Sequence, residues 1–182
     1  MRVLREIIRD SLAIARRYHD GRAGAREILN IAAHDGSQVL ALSRLREAAR
    51  RWRIPLANTI LRRVQTALFG VEIAGDVVLG EGIVFVHTVG IVIGGDARIG
   101  DRVMFLGSNT LGTIDRKGYP RIGDDVVIGA GARILGPVHV GNGASIGANA
   151  VVVHDVPAGA TALGVPAVVR DKRNGAGVPA AE

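Results

Sequence analysis

Few side chains in this 182-residue chain can do acid–base or nucleophilic chemistry near neutral pH, and the search narrows to histidine. Cysteine is absent, which excludes both thiolate catalysis and a disulfide framework. There are five histidines: His19, His34, His87, His139 and His154. His87 stands in Phe85-Val86-His87-Thr88-Val89-Gly90, where a titratable ring interrupts an aliphatic run. An imidazole titrates close to neutrality and can take a proton from an alcohol. On residue type alone, a solvated surface ring remains the other reading. His139 and His154 read as ordinary surface residues, and His19 and His34 have no convergent neighbours in sequence. Three histidines around a metal, as in a γ-type carbonic anhydrase, need two close together. His87 and His139 are 52 positions apart, so no metal is expected.

Such a ring needs a stiff support, and residues 73–157 supply its pattern. An aliphatic or aromatic residue opens every sixth position in three registers: Ile73, Leu79, Phe85, Ile91; then, after a two-residue slip, Ile93, Ile99, Phe105, Leu111; then Ile122, Ile128, Ile134, Val140, Ile146, Val152. Glycine follows many openers, and small or slim residues such as Val77, Val89, Ala97 and Ala132 fill the fifth position. A period of six fits neither a lone helix nor a lone strand. It fits short strands that turn corners, three to a coil, with the coils stacked as a parallel β-helix whose axis the openers fill. The repeats predict a domain over 71–168. A polar loop leaves a corner at 113–121, and a Gly/Ala/Pro-rich stretch at 169–182 reads as a mobile tail.

Residues 1–70 predict a small α-helical cap. Val3, Leu4, Ile7, Ile8, Leu12 and Ile14 recur at helical spacing, a second helix covers 25–33, Ser37 caps a third, and Pro55 marks the start of a fourth. This cap carries the basic charge: 14 Arg against 6 acids in residues 1–70, a balance of +8, leaves −2 for the remainder. Solvated arginine faces account for it, or contact with an anionic substrate. Basic–aromatic interleaving is missing, so nucleic acid is not an expected partner. No apolar run is long enough to span a membrane, and Arg2, Arg5, Glu6, Arg9 and Asp10 break any leader-like stretch. The expected location is cytoplasmic.

The runs Val71-Glu72-Ile73, His87-Thr88-Val89-Gly90-Ile91-Val92-Ile93-Gly94, Ser108-Asn109-Thr110-Leu111-Gly112, Ile128-Gly129-Ala130-Gly131-Ala132-Arg133-Ile134-Leu135-Gly136 and Gly164-Val165-Pro166-Ala167 occur in this order. Together they resemble the serine acetyltransferase branch of the hexapeptide-repeat acyltransferases over residues 43–168. The resemblance implies a mainly β fold, a left-handed parallel β-helix of hexapeptide repeats, assembled as a homotrimer that can pair into a dimer of trimers. It implies acetyl-CoA as co-substrate and no metal. His87 is then the general base that deprotonates an acceptor hydroxyl, oriented by Glu72 fifteen positions earlier, where the family usually has Asp. Backbone N–H groups over 107–113 are candidates for the oxyanion. By the same resemblance, CoA passes Gly112, Ala130, Gly131 and Ala148, with Gly164, Pro166 and Arg170 toward the nucleotide end. Arg133, Lys172 and Arg173 are further phosphate candidates.

Acceptor contacts fall by resemblance on Val86, Ser108 and Tyr119, and here the chain departs from the family. Val86 replaces an Asp before the catalytic His, and Gly118-Tyr119 replace an Arg-His pair before Pro120. Those charges serve serine's ammonium and carboxylate, so their loss predicts a changed acceptor. The helical cap is shorter than the family's, and the final residues lack the Ile through which the family docks a sulfhydrylase. The expectation is therefore a CoA-dependent O-acetyltransferase favouring a sugar or natural-product hydroxyl. The alternative is a genuine serine O-acetyltransferase with a divergent acceptor pocket.

Overall fold

The computed structural model describes residues 2–18 and 24–170. Four helices precede the repeats: α1 (Arg2–Tyr18), α2 (Ala25–Ala33), α3 (Asp35–Arg51) and α4 (Ala57–Phe69). The first coil contains β1 (Val71–Ile73), β2 (Val78–Leu79) and β3 (Val84–Phe85). The second contains β4 (Ile91–Ile93), β5 (Arg98–Ile99) and β6 (Met104–Phe105), and the third β7 (Thr110–Gly112), β8 (Arg121–Ile122) and β9 (Val127–Ile128). The fourth contains β10 (Arg133–Leu135), β11 (His139–Val140) and β12 (Ser145–Ile146). β13 (Val151–Val152), β14 (Thr161–Leu163) and β15 (Val168–Arg170) close the far end. The strands stack into three parallel faces, β1-β4-β7-β10-β13, β2-β5-β8-β11 and β3-β6-β9-β12-β14, with β15 added antiparallel to β14. This is a left-handed parallel β-helix. Every opener from Ile91 onward is buried on the axis, and Phe85 and Phe105 stack there with ring centroids 5.2 Å apart. Each such burial is worth about 1.5–3 kcal/mol.

Strand register explains the irregularities of the repeat. Val71 pairs with Ile91, Val92 with Thr110, Thr110 with Arg133 and Arg133 with Val151, so successive coils take 20, 18, 23 and 18 residues. The long third coil holds the 113–121 insertion. Its loop ends one residue earlier than the sequence suggested, because Arg121 already pairs on β8. The two-residue slip is a wider corner over residues 86–90. Eight positions separate Phe85 from Ile93, against six from Phe105 to Leu111. Val89, read as an interior fifth-position residue, instead lies 71% exposed on that corner, because the extra residues bulge outward there.

The helices differ from the sequence reading at three places. His34, not Ser37, precedes α3, and Ser37 lies inside its first turn with no capping side chain. On α1 the inward face is Val3, Asp10, Ser11, Ile14 and Ala15, which leaves Leu4 and Ile8 on the outer side. The inward choice follows from a buried clip. Arg44 Nε of α3 donates to Asp10 Oδ2 at 2.9 Å and Arg44 Nη1 donates to the Leu79 carbonyl at 2.8 Å, while the Gly82 N–H donates to Asp10 Oδ1 at 2.8 Å. One ion pair thus ties two helices to the first coil. At the other end, Val169 and Arg170 are strand rather than tail, and 171–182 lie outside the described residues.

Candidate active site

The wide corner carries His87. Its side chain is exposed, between the half-exposed Val86 and the buried Thr88. Directly beneath it, Gly107 has φ +128°, and a Cβ built there would come within 3.0 Å of the His87 Cβ. Only glycine meets both conditions without strain. Asn109, fully buried, shapes this second corner: its Oδ1 accepts from the Gly107 N–H at 3.1 Å and its Nδ2 donates to the Gly129 carbonyl at 2.7 Å.

Below His87 the same edge of the prism continues as a column of small residues. The Gly90 N–H donates to the Gly70 carbonyl (3.0 Å), Ser108 to Val89 (3.2 Å), Gly131 to Gly107 (2.9 Å), Asn149 to Ala130 (2.8 Å) and Val151 to Gly164 (3.0 Å). His87, Ser108, Ala130–Gly131, Ala148 and the 164–167 turn therefore lie on one line. Four rungs of about 4.8 Å make a track of roughly 19 Å. Ala130, Ala148, Gly164 and Pro166 are all exposed along it, interspersed with the exposed Asn149 and Val165. Arg133 presses its guanidinium on this edge and donates to the carbonyls of Ser108 and Gly131, the latter at 2.9 Å. These bonds use Nη1 alone. Arg170 is exposed on β15 at the far end, and Lys172 and Arg173 lie outside the described residues.

Glu72 projects outward from β1 and does not hydrogen-bond His87. Its carboxylate pairs instead with Arg62 of α4, Nη1 to Oε1 at 3.3 Å. Around this pair lies an open cleft of about 360 Å³ lined by Arg62, Arg63, Thr66, Ala67 and Glu72. A larger cleft, about 870 Å³, separates α1–α3 from β3. Glu27, His34 and Asp35 line it on one side and Phe85 and Val86 on the other. Among the described residues, no group of three or more metal-ligating side chains converges, and no helix is long and apolar enough to cross a membrane.

Residues 119–154 match the family model "Bacterial transferase hexapeptide (six repeats)". The serine acetyltransferase of Synechococcus elongatus is 36% identical over 136 residues, covering 73% of this chain and 56% of that relative. That of Helicobacter pylori strain J99 is 37% identical over 137 residues, covering 74% of this chain and 80% of the relative. The chain belongs to the serine acetyltransferase family. It spans little more than half the length of the Synechococcus member. A solved serine acetyltransferase in complex with CoA superposes with a TM-score of 0.82 at 32% identity, over 92% of this chain and 69% of that one.

Within this serine acetyltransferase framework, two residues expected at the site stand on a different edge from His87. Tyr119 folds back over the corner after β4, where Cβ atoms built on Gly94 and Gly95 would come within 2.9 and 2.0 Å of its ring. Gly112 ends β7 on the same side, its carbonyl accepting from the Gly136 N–H at 3.0 Å. The edge that carries Tyr119 lies between the β4 and β5 faces, and the edge that carries His87 between the β3 and β4 faces. Of the backbone donors proposed for an oxyanion, Gly107, Ser108 and Thr110 are already bonded to Asn109 Oδ1, Val89 O and Ala132 O. Two contributors went unread in the sequence. Asn109 gave a signal, a polar residue two places after a corner glycine inside an aliphatic repeat. Arg62, ten positions before Glu72 on another element, gave none.

Proposed function

We propose that this chain is an acetyl-CoA-dependent serine O-acetyltransferase, with His87 as general base and the small-residue edge as the donor track. His87 takes the proton of the acceptor hydroxyl as its oxygen attacks the thioester carbonyl. The C–O bond forms, the tetrahedral intermediate collapses with loss of the C–S bond, and the imidazolium returns the proton to the departing CoA thiolate. The observation that carries this reading is the alignment of an exposed imidazole with four rungs of mostly small residues along one edge, open to an extended ligand. The names of the relatives favour L-serine over the sugar or natural-product acceptor that Val86 and Gly118 suggested. Glu72, which shares a weak contact with Arg62, is the acid assigned to orient the ring. Because Tyr119 and Gly112 stand on the other edge, they reach the same site only from a neighbouring protomer, which supports a cyclic trimer.

The test is release of CoA thiol from acetyl-CoA with L-serine, comparing wild type with His87→Ala. General-base catalysis contributes about 10²–10⁴, so a loss of that size in kcat is expected. Turnover surviving within about tenfold would remove His87 from the chemistry.

A further inference from the structure

The cleft between α4 and β1 holds more positive charge than its one acid balances. Arg62 and Arg63 face Glu72 together with Thr66 and Ala67, and these four α4 positions share one side of the helix. Arg63 has no carboxylate partner among the described residues, and the Arg62–Glu72 contact is long and half-exposed at both ends, 44% and 53%. Such a pair contributes little and exchanges readily. The link from α4 to β1, next to this cleft in sequence, packs on the His87 corner. Gly70, which links α4 to β1, accepts the Gly90 N–H at 3.0 Å, and a Cβ on Gly70 would sit 3.3 Å from the Val89 Cα. A small ligand could thus hold a carboxylate at α4 while turning a hydroxyl toward His87.

We infer that Arg62 and Arg63 bind the carboxylate of the acceptor, Arg62 exchanging its weak contact with Glu72 for that carboxylate. The inference rests on the proposed acetyl transfer and assigns the residues that hold the carboxylate of its acceptor. A guanidinium prefers a carboxylate that it can grip with two N–H groups over a single long contact.

The experiment compares L-serine with L-serine amide in the thiol-release assay, using wild type, Arg62→Gln/Arg63→Gln, Arg62→Lys/Arg63→Lys and Arg63→Gln. Wild type should prefer L-serine. The double glutamine variant should raise the L-serine KM about tenfold to a hundredfold, the range for a hydrogen bond to a charged group, and abolish preference over the amide. The lysine pair should retain most of the preference. Arg63→Gln, which breaks no ion pair and so tests the site without disturbing the fold, should raise the L-serine KM by a smaller factor. The KM for acetyl-CoA and the melting temperature report whether the variants remain folded. An unchanged L-serine KM in the glutamine variants overturns the carboxylate site while leaving the proposed function intact. Wild type that transfers acetyl only to neutral acceptors overturns both. Wild type that transfers to nothing overturns the proposed function and removes the acceptor on which the inference depends.

Discussion

At the residue scale, the position of His87 depends on what lies under it. Gly107 cannot take a side chain without pushing on the His87 Cβ and carbonyl, at 3.0 and 3.2 Å from the added carbon, and its φ of +128° is costly for any other residue. Gly107→Ala should therefore lose about 1–3 kcal/mol of stability from backbone strain. Because a misplacement near 1 Å can cost about a hundredfold in rate, kcat should fall by at least about tenfold while the acetyl-CoA KM holds. Steady-state kinetics with urea titration checks this. Stability lost with kcat intact would show that the corner holds His87 by other contacts. The two residues differ in how legible they were. His87 broke an aliphatic run and was visible in the sequence, whereas the Glu72–Arg62 contact joins side chains ten positions apart on a helix and a strand. No periodicity encodes such a pairing, so the family resemblance suggested Glu72 as a partner for His87 and the sequence gave no sign of its competitor.

At the element scale, the strands were legible and the helix docking was not. The openers had to be apolar because each face of the coil turns them onto a dry axis, and even the slip at Ile91–Ile93 marked a real feature, the widened corner. The helices present apolar residues on more than one side, so spacing alone left their inward face undetermined. The Asp10–Arg44 clip makes that choice. Burial works against the Arg44 charge, but the hydrogen bond and the charge of Asp10 outweigh it and hold the guanidinium above its usual pKa. Asp10→Ala strands this cation and the Gly82 N–H in a dry site. A stability loss of about 3–5 kcal/mol is expected, the range for breaking one side of a buried pair. The double variant Asp10→Leu/Arg44→Met should recover much of that loss, since apolar replacements of a buried pair are often neutral. Chemical denaturation of the three proteins decides it. A double variant no more stable than Asp10→Ala would mean that the pair contributes net energy rather than docking direction.

At the scale of the whole molecule, the distribution of the proposed site residues over two edges sets how many protomers such a site would need. A prism offers its His87 edge and its Tyr119 edge in different directions, so a single copy cannot bring both to one acceptor. A ring of three with heterologous contacts can, by laying the His87 edge of each protomer against the Tyr119 edge of the next. His87→Ala and Tyr119→Ala protomers should each form nearly inactive homotrimers, yet each keeps one edge intact. When the two are co-expressed and mix at random in equal amounts, about a quarter of the interfaces in such a ring combine two intact edges. Activity should then rise to about a quarter of wild type, well above the mean of the two parents, with acetyl-CoA and L-serine KM values close to wild type at the restored sites. Activity that stays at the parental mean would place the whole site within one protomer and remove Tyr119 from it. A fully active Tyr119→Ala homotrimer would do the same, leaving the ring of Tyr119 as packing for Gly94 and Gly95 alone.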